Sequence, residues 1–309
     1  MQDILTCAMG LDVHRDVIVA CLTKGALGTA PETETRSFST LIPEMQKLRE
    51  GVLETDCHYV AMESTGIYWQ PIYEMLETCF SGDISILVVN ARHMKNVPGR
   101  KTDMRDAQWI ATLLRAGLLK GSFIPDKAFR ELRHLTRYRK SIVHDITAQK
   151  NRIDKFLQSS GFRFTAFLSD AFGASGRNII RYLIQNGSID RAALDVCLKT
   201  KTRNRIDEIL VALNGTLSLH QRSFLAMIFS HLESLEVHKN VVENSIAEEI
   251  LKHGEALSLL CSIPGIDVTA AASIIAEIGT DMSAFPDAQH ICSWAGLSPG
   301  TGTTGWTKS

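Results

Sequence analysis

Near Pro125 the sequence changes its periodicity, and that change restricts the chain to few architectures. Before it, short β-branched or apolar runs alternate with amphipathic stretches; after it, strand-like runs vanish. "CAMGLDVHRDVIVACLTK" (7–24) predicts a strand, a turn at "HRD" and a hairpin partner. "TETRSFST" (33–40) is the next candidate strand, and "IPEMQKLREGV" (42–52) has helical spacing after a Pro start. "CHYVAMES" (57–64) predicts a short strand ending on Glu63, and "YWQPIYEMLETC" a helix with its Pro in the first turn. "ISILVVN" (84–90) has the unbroken apolar run of a buried parallel strand. "DMRDAQWIATLLRAGLL" (103–119) is amphipathic through Ile110, Leu113 and Leu114. Strands alternating with helices predict a mixed sheet with helices on its faces.

The rest reads as helices. "FRELRHLTRYRKSIVHDITAQKNRIDKFLQ" (129–158) and "LSLHQRSFLAMIFSHLESLEVHKNVVENSIAEEILKHG" (217–254) are long candidates, with shorter ones in "FGASGRNIIRYLIQNG" and "VCLKTKTRNRIDEILVAL". Leu225, Ile228, Leu232, Leu235, Val242 and Ile246 alternate spacings of three and four, with Lys239 at the missing position. That pattern fits a coiled-coil seam and equally a helix packed in its own bundle. In "LLCSIPGIDVTAAASIIAEIG" (259–279) a Pro-Gly turn joins two helices in the manner of a helix-hairpin-helix. Such a turn either offers backbone N–H groups to a DNA phosphate or only packs. Asp267 stands at the second hairpin glycine position, where its carboxylate would compete for those donors.

Charge is distributed unevenly. Between Arg92 and Lys155 there are 16 Lys or Arg against 6 Asp or Glu, although the net charge of the 309 residues is −1. Such asymmetry fits a nucleic-acid partner, or else solvated helix faces. We take Arg100, Lys101, Arg105, Arg133, Arg137, Arg139 and Lys140 as candidate nucleic-acid contacts. Seven cysteines lie singly at 7, 21, 57, 79, 197, 261 and 292. With no CxxC pair, they predict a reduced, cytoplasmic setting, no disulfide framework and no zinc site. No signal-peptide pattern opens the chain, and no apolar stretch approaches the ~20 residues of a membrane span.

Four carboxylates stand out. Asp12 interrupts an apolar strand, Glu63 ends another, and Asp103 and Asp106 lie three apart near a helix start, facing one side. Singly, each has an ordinary role as turn former, exposed strand end or helix cap. Brought together, they would repel one another and call for a divalent cation, with oxygen-only ligands suiting Mg²⁺ or Mn²⁺. A pair of such ions serves phosphodiester chemistry.

The series "GLDVH", "AMESTGIYW", "VVNARHMKNVPGRKTDMRDA" resembles the DEDD insertion-sequence transposases, the group of the pilin-inverting recombinase. "IPGIDVTAAASIIAEIGTDMSAFPDAQHICSWAGLSPG" is similar to their C-terminal transposase domain. The resemblance implies an α/β RNase H-like (RuvC-like) N-terminal domain, an α-helical, partly coiled-coil region, and an α-helical C-terminal domain. We place these at 1–125, 126–255 and 256–309, the last expected to be incomplete. It implies a metal-binding catalytic tetrad of Asp12, Glu63, Asp103 and Asp106. It also implies DNA strand exchange by a dimer or tetramer, with a structured non-coding guide RNA. The family places an attacking Ser after "GLSPG"; here Thr304 occupies that position and Thr303 the preceding Glu position. A Thr hydroxyl can attack, but its extra methyl restricts χ1.

Three other readings compete. A nucleic-acid-binding module without chemistry fits the basic segment. A phosphotransferase of the actin-like kind also opens on a strand with "GxD", but needs Gly-rich phosphate loops that are absent. A junction resolvase fits the acids and leaves the C-terminal segment unexplained.

Overall fold

The computed structural model describes residues 3–64, 66–79, 84–90, 106–166, 168, 170–199 and 202–297. It divides into two compact units, Met1–Lys127 and Ala128–Ser309. No helix among the described residues is long and apolar enough to cross a membrane.

The first unit is built on five strands: β1 (Cys7–Val13), β2 (Val17–Lys24), β3 (Glu32–Ser39), β4 (Tyr59–Glu63) and β5 (Ser85–Val89). Their order is β3-β2-β1-β4-β5. β1, β2 and β3 pair antiparallel, whereas β4 runs parallel to β1 and β5 parallel to β4. The β1–β2 turn closes as the His14 N–H donates to the Val17 carbonyl at 2.9 Å. The Thr40 hydroxyl donates to the Arg15 carbonyl, also at 2.9 Å, and anchors that turn. Parallel neighbours cannot be joined by a tight turn. The chain therefore crosses over through α1 (Ile42–Glu54) before β4 and α2 (Trp69–Cys79) before β5.

Alternation along β1 assigns the two faces. Met9, Leu11 and Val13 pack with Met45, Leu48 and Val52 of α1 and Ile72 and Leu76 of α2. The three α1 residues follow helical spacing, so one stripe of that helix is buried. Ala8 faces the other way and packs with Ala61, Val89 and with Ile110 and Leu114 of α3 (Asp106–Arg115). The apolar run at 84–90 forms an edge strand in which only Val88 and Val89 are buried. A continuous apolar run signals burial on both faces, but an edge position leaves the earlier part of β5 half-covered.

Arg115 ends α3 inside the core, with 1% of its surface exposed. Its Nε donates to the Leu5 carbonyl at 2.9 Å, and Nη2 donates to those of Gly25 and Ala26 at 3.0 and 3.1 Å. Nη1 lies 3.2 Å from the Asp3 carboxylate as an ion pair, outside hydrogen-bond alignment. One cation thus binds the entry to β1 and the exit from β2 to the end of α3. A buried charge is costly unless paired, and here the Nε and Nη2 bonds and the Nη1 ion pair together offset that cost.

The second unit is helical. Its α4 (Lys127–Ser159), α5 (Ala174–Asn186) and α8 (Leu219–Ile250) carry most of one apolar core. Short helices α6 (Arg191–Cys197) and α7 (Ile206–Ala212) lie between. The helical pattern of 196–213 is broken because Leu198 is extended, with φ −83° and ψ 137°. Ser218 opens α8 with a capping box: its hydroxyl accepts from the Gln221 N–H, and the Gln221 side chain accepts from the Ser218 N–H at 2.8 Å. Leu225, Ile228, Leu232, Val242 and Ile246 are buried within this unit's own core, with Leu235 packed against it. Lys239 donates to Glu243 at 2.9 Å. Gln149 of α4, buried, donates to the Ile228 carbonyl at 2.8 Å, matching a polar group that would otherwise be costly. α9 (Gly254–Cys261) and α10 (Val268–Ile278) form the hairpin, and α11 (Ala288–Trp294) follows.

Candidate functional site

β1 and β4 bring two of the four carboxylates side by side. Leu11 is in register with Met62, so Asp12 and Glu63 are the next residues along on neighbouring strands. Strands in a sheet stand about 4.8 Å apart. Both lie on the α3 face, because Ala8 and Ala61, an even number of residues earlier, pack there.

α3 carries the third, though not within metal-binding reach of the other two. Asp106 is its first residue, where the unpaired amides of the helix start favour negative charge. Gly10 sets the approach of the helix to β1: a Cβ there would stand 2.2 Å from the Ala107 carbonyl oxygen and 2.4 Å from the Ala111 nitrogen. Only a glycine accepts so close a backbone. It fixes Ala107, the neighbour of Asp106, over β1 two residues before Asp12. The small residues Ala8, Gly10 and Ala61 act together as the bed of α3.

Asp12 is mostly covered, with 14% of its side chain exposed, and the exposed His14 imidazole lies 3.2 Å from its Oδ2. His14 closes the "GLDVH" motif, and sequence alone gives it no role. Asp103 lies outside the described residues, as do Arg100, Lys101, Arg105, Thr303 and Thr304. Among the described residues no group of three His, Cys, Asp or Glu is close enough to hold a metal ion.

The candidate nucleic-acid contacts on α4 have partners inside their own unit. Arg133 Nη2 donates to the Glu277 carbonyl at 2.7 Å, and its Nε lies 3.0 Å from the Glu277 carboxylate. Arg137 grips the same carboxylate with two bonds, at 2.8 and 2.9 Å. Arg139 donates to Glu243 at 2.7 Å. Lys140 is exposed. Arg115 and Arg130, also in the basic stretch, are buried. Part of the local cationic excess is therefore used to dock α8 and α10 on α4.

At the hairpin, Gly265 adopts φ +91°, the left-handed region that a turn after Pro264 requires. Asp267 caps α10 by accepting from the Ala270 N–H at 2.7 Å. Its carboxylate thus occupies a helix-start donor that a phosphate would otherwise use.

Residues 9–161 match the IS110-type DEDD family described as Transposase, and residues 257–309 match the Transposase IS116/IS110/IS902 family. This chain belongs to the IS110-type insertion-sequence transposases. It is 24% identical over 212 residues to the candidate transposase y4qE of Sinorhizobium fredii, covering 67% of this chain and 42% of that protein. It is 27% identical over 232 residues to an uncharacterized 43.6 kDa protein of insertion element IS110 from Streptomyces coelicolor, covering 67% of this chain and 55% of that protein. The chain thus spans about half the length of the curated relatives it matches.

Proposed function

We propose that this IS110-type transposase cleaves and exchanges DNA strands at a site built on Asp12, Glu63 and Asp106, completed by Asp103. The observation that carries this reading is the placement of Asp12 and Glu63 on adjacent strands, on the face covered by the helix that Asp106 opens. Three antiparallel strands followed by two parallel ones, with acids at the ends of β1 and β4, support an RNase H-type reading of the first unit.

The donor set is oxygen only, which suits Mg²⁺ or Mn²⁺. A bound cation would neutralise the carboxylates and the phosphodiester drawn against them. Asp12 and Glu63 would hold it from a rigid sheet, and Asp106 from the start of α3. Gly10 keeps these elements in contact, and the His14 imidazole lies against the Asp12 carboxylate. Thr304, at the position where the resemblance places an attacking Ser, is the less suited hydroxyl because its methyl narrows χ1. We therefore assign the carboxylate chemistry to this chain. DNA, a structured guide RNA and further copies of the chain are the proposed partners.

The test is incubation of the chain with DNA carrying its element's ends, in Mg²⁺. Strand cleavage that disappears in Asp106→Asn is expected. Cleavage undiminished in that variant overturns the assignment. Salt-dependent binding without cleavage or a covalent adduct would favour the binding-module reading.

A further inference from the structure

At the other end of the two acid-bearing strands, β1 and the approach to β4 bring two cysteines together. Cys7 opens β1 and Cys57 lies two residues before β4. The β1–β4 register, Met9 with Val60, sets them on neighbouring segments of the sheet. Cys57 is buried in the apolar cluster beneath α1 and α2, and Cys7 packs against the same cluster while keeping some exposure. Both thiols therefore border one apolar cluster from adjacent segments of the sheet. The Cys57 thiol also approaches the Tyr59 carbonyl at 3.3 Å.

We propose that Cys7 and Cys57 form a peroxide-reactive dithiol that closes to a disulfide, cross-linking the two strands that carry Asp12 and Glu63. Cys7 attacks and Cys57 resolves. The Cys7 thiolate attacks one oxygen of a hydroperoxide, breaking the O–O bond and releasing water or an alcohol after protonation. Cys7 is then a sulfenic acid. The Cys57 sulfur attacks it, expels water and forms the S–S bond. Two thiols and one hydrogen peroxide thus give one disulfide and two waters, the peroxide being the oxidant.

The surroundings favour this division of labour. The neighbouring Cys57 thiol holds the Cys7 thiol down to about 7, helped by Lys24 and His58 and opposed by burial and Asp56. The same proximity, with burial, pushes the Cys57 thiol well up, so it stays protonated until its neighbour has reacted. Asp56 itself lies 3.0 Å from the His58 imidazole. A thiol near 7 is about half ionised at neutral pH, whereas an ordinary one is ionised to a few per cent. Lower basicity costs part of that gain, since nucleophilicity falls with pKa. The net advantage is about threefold.

The experiment treats the purified, reduced full chain with hydrogen peroxide at pH 7, blocks free thiols and maps peptides without reduction. A peptide joining Cys7 to Cys57 is expected, restored to free thiols by dithiothreitol. Cys7 alkylation by iodoacetamide should be half-maximal near pH 7 and about threefold faster than that of Cys261 or Cys292. In Cys57→Ser, dimedone should trap a sulfenic acid at Cys7 that the native chain does not accumulate. Should that variant misfold, the wild-type peptide map and alkylation profile decide alone. Oxidation of Cys7 without a link to Cys57, or alkylation that follows an ordinary thiol's pH profile, would overturn the proposal.

Discussion

Gly10 lies directly beneath Ala107, leaving only 2.2 Å between a would-be Cβ and the Ala107 carbonyl oxygen. The colliding atoms are backbone, so no rotamer change relieves the contact. Gly10→Ala should cost about 3 kcal/mol or more, the upper range of overpacking. Urea unfolding should show a lowered midpoint, and Asp106 should be displaced from β1. An unchanged midpoint would mean that α3 can lift off β1 freely.

Arg115 tests the other end of α3. Arg115→Met keeps much of the side chain's volume but leaves the Leu5, Gly25 and Ala26 carbonyls and the Asp3 carboxylate without their cation. Removing one partner of a buried ionic network costs about 3–5 kcal/mol. The expected result is a much lower denaturation midpoint, with Asp3→Asn less damaging because Asp3 is the more exposed partner.

These two residues also show what could be read from sequence. The hairpin of β1 and β2, the crossover helices and the long α4 and α8 follow from alternation and helical spacing, which are local signals. Arg115 falls in a basic stretch, and nothing local in sequence distinguishes a buried arginine from a surface one. Its carbonyl partners are 89 to 110 residues away in sequence. The seam of α8 has the same ambiguity: heptad spacing does not say whether the partner helix belongs to the same unit, and here it does. The placement of Asp12 and Glu63 on one face follows from period-two alternation once β1 and β4 are paired. The pairing is tertiary information, and so is the approach of α3.

Glu277→Gln should loosen the grip on Arg133 and Arg137. With two guanidinium groups released, nucleic-acid affinity should fall more steeply with salt, by about one unit of slope for each phosphate newly contacted. Fluorescence anisotropy with a labelled duplex across a salt series measures this. An unchanged slope would assign both arginines to docking alone.

Glu243 supplies a pH dependence. Burial raises its pKa, but hydrogen bonds from Lys239 and Arg139 outweigh burial and hold it below its usual 4.5. A depressed carboxylate stabilises the fold above its unfolded pKa, and that stabilisation disappears as pH falls through the lower folded value. Acid titration of stability should therefore show a loss below about pH 4 that Glu243→Gln flattens. Calorimetry of both proteins between pH 6 and 3 would compare them; parallel curves would remove Glu243 from the explanation.

In the proposed function, Asp12 and Glu63, side by side on β1 and β4, would hold a divalent cation for DNA chemistry. Mn²⁺ titration of the full chain, with free ion followed by electron paramagnetic resonance, tests it without requiring turnover. Asp12→Asn and Glu63→Gln should each weaken binding at least about tenfold, as even the loss of an outer partner of a metal site does. Mn²⁺ affinity unchanged in both variants would contradict the account.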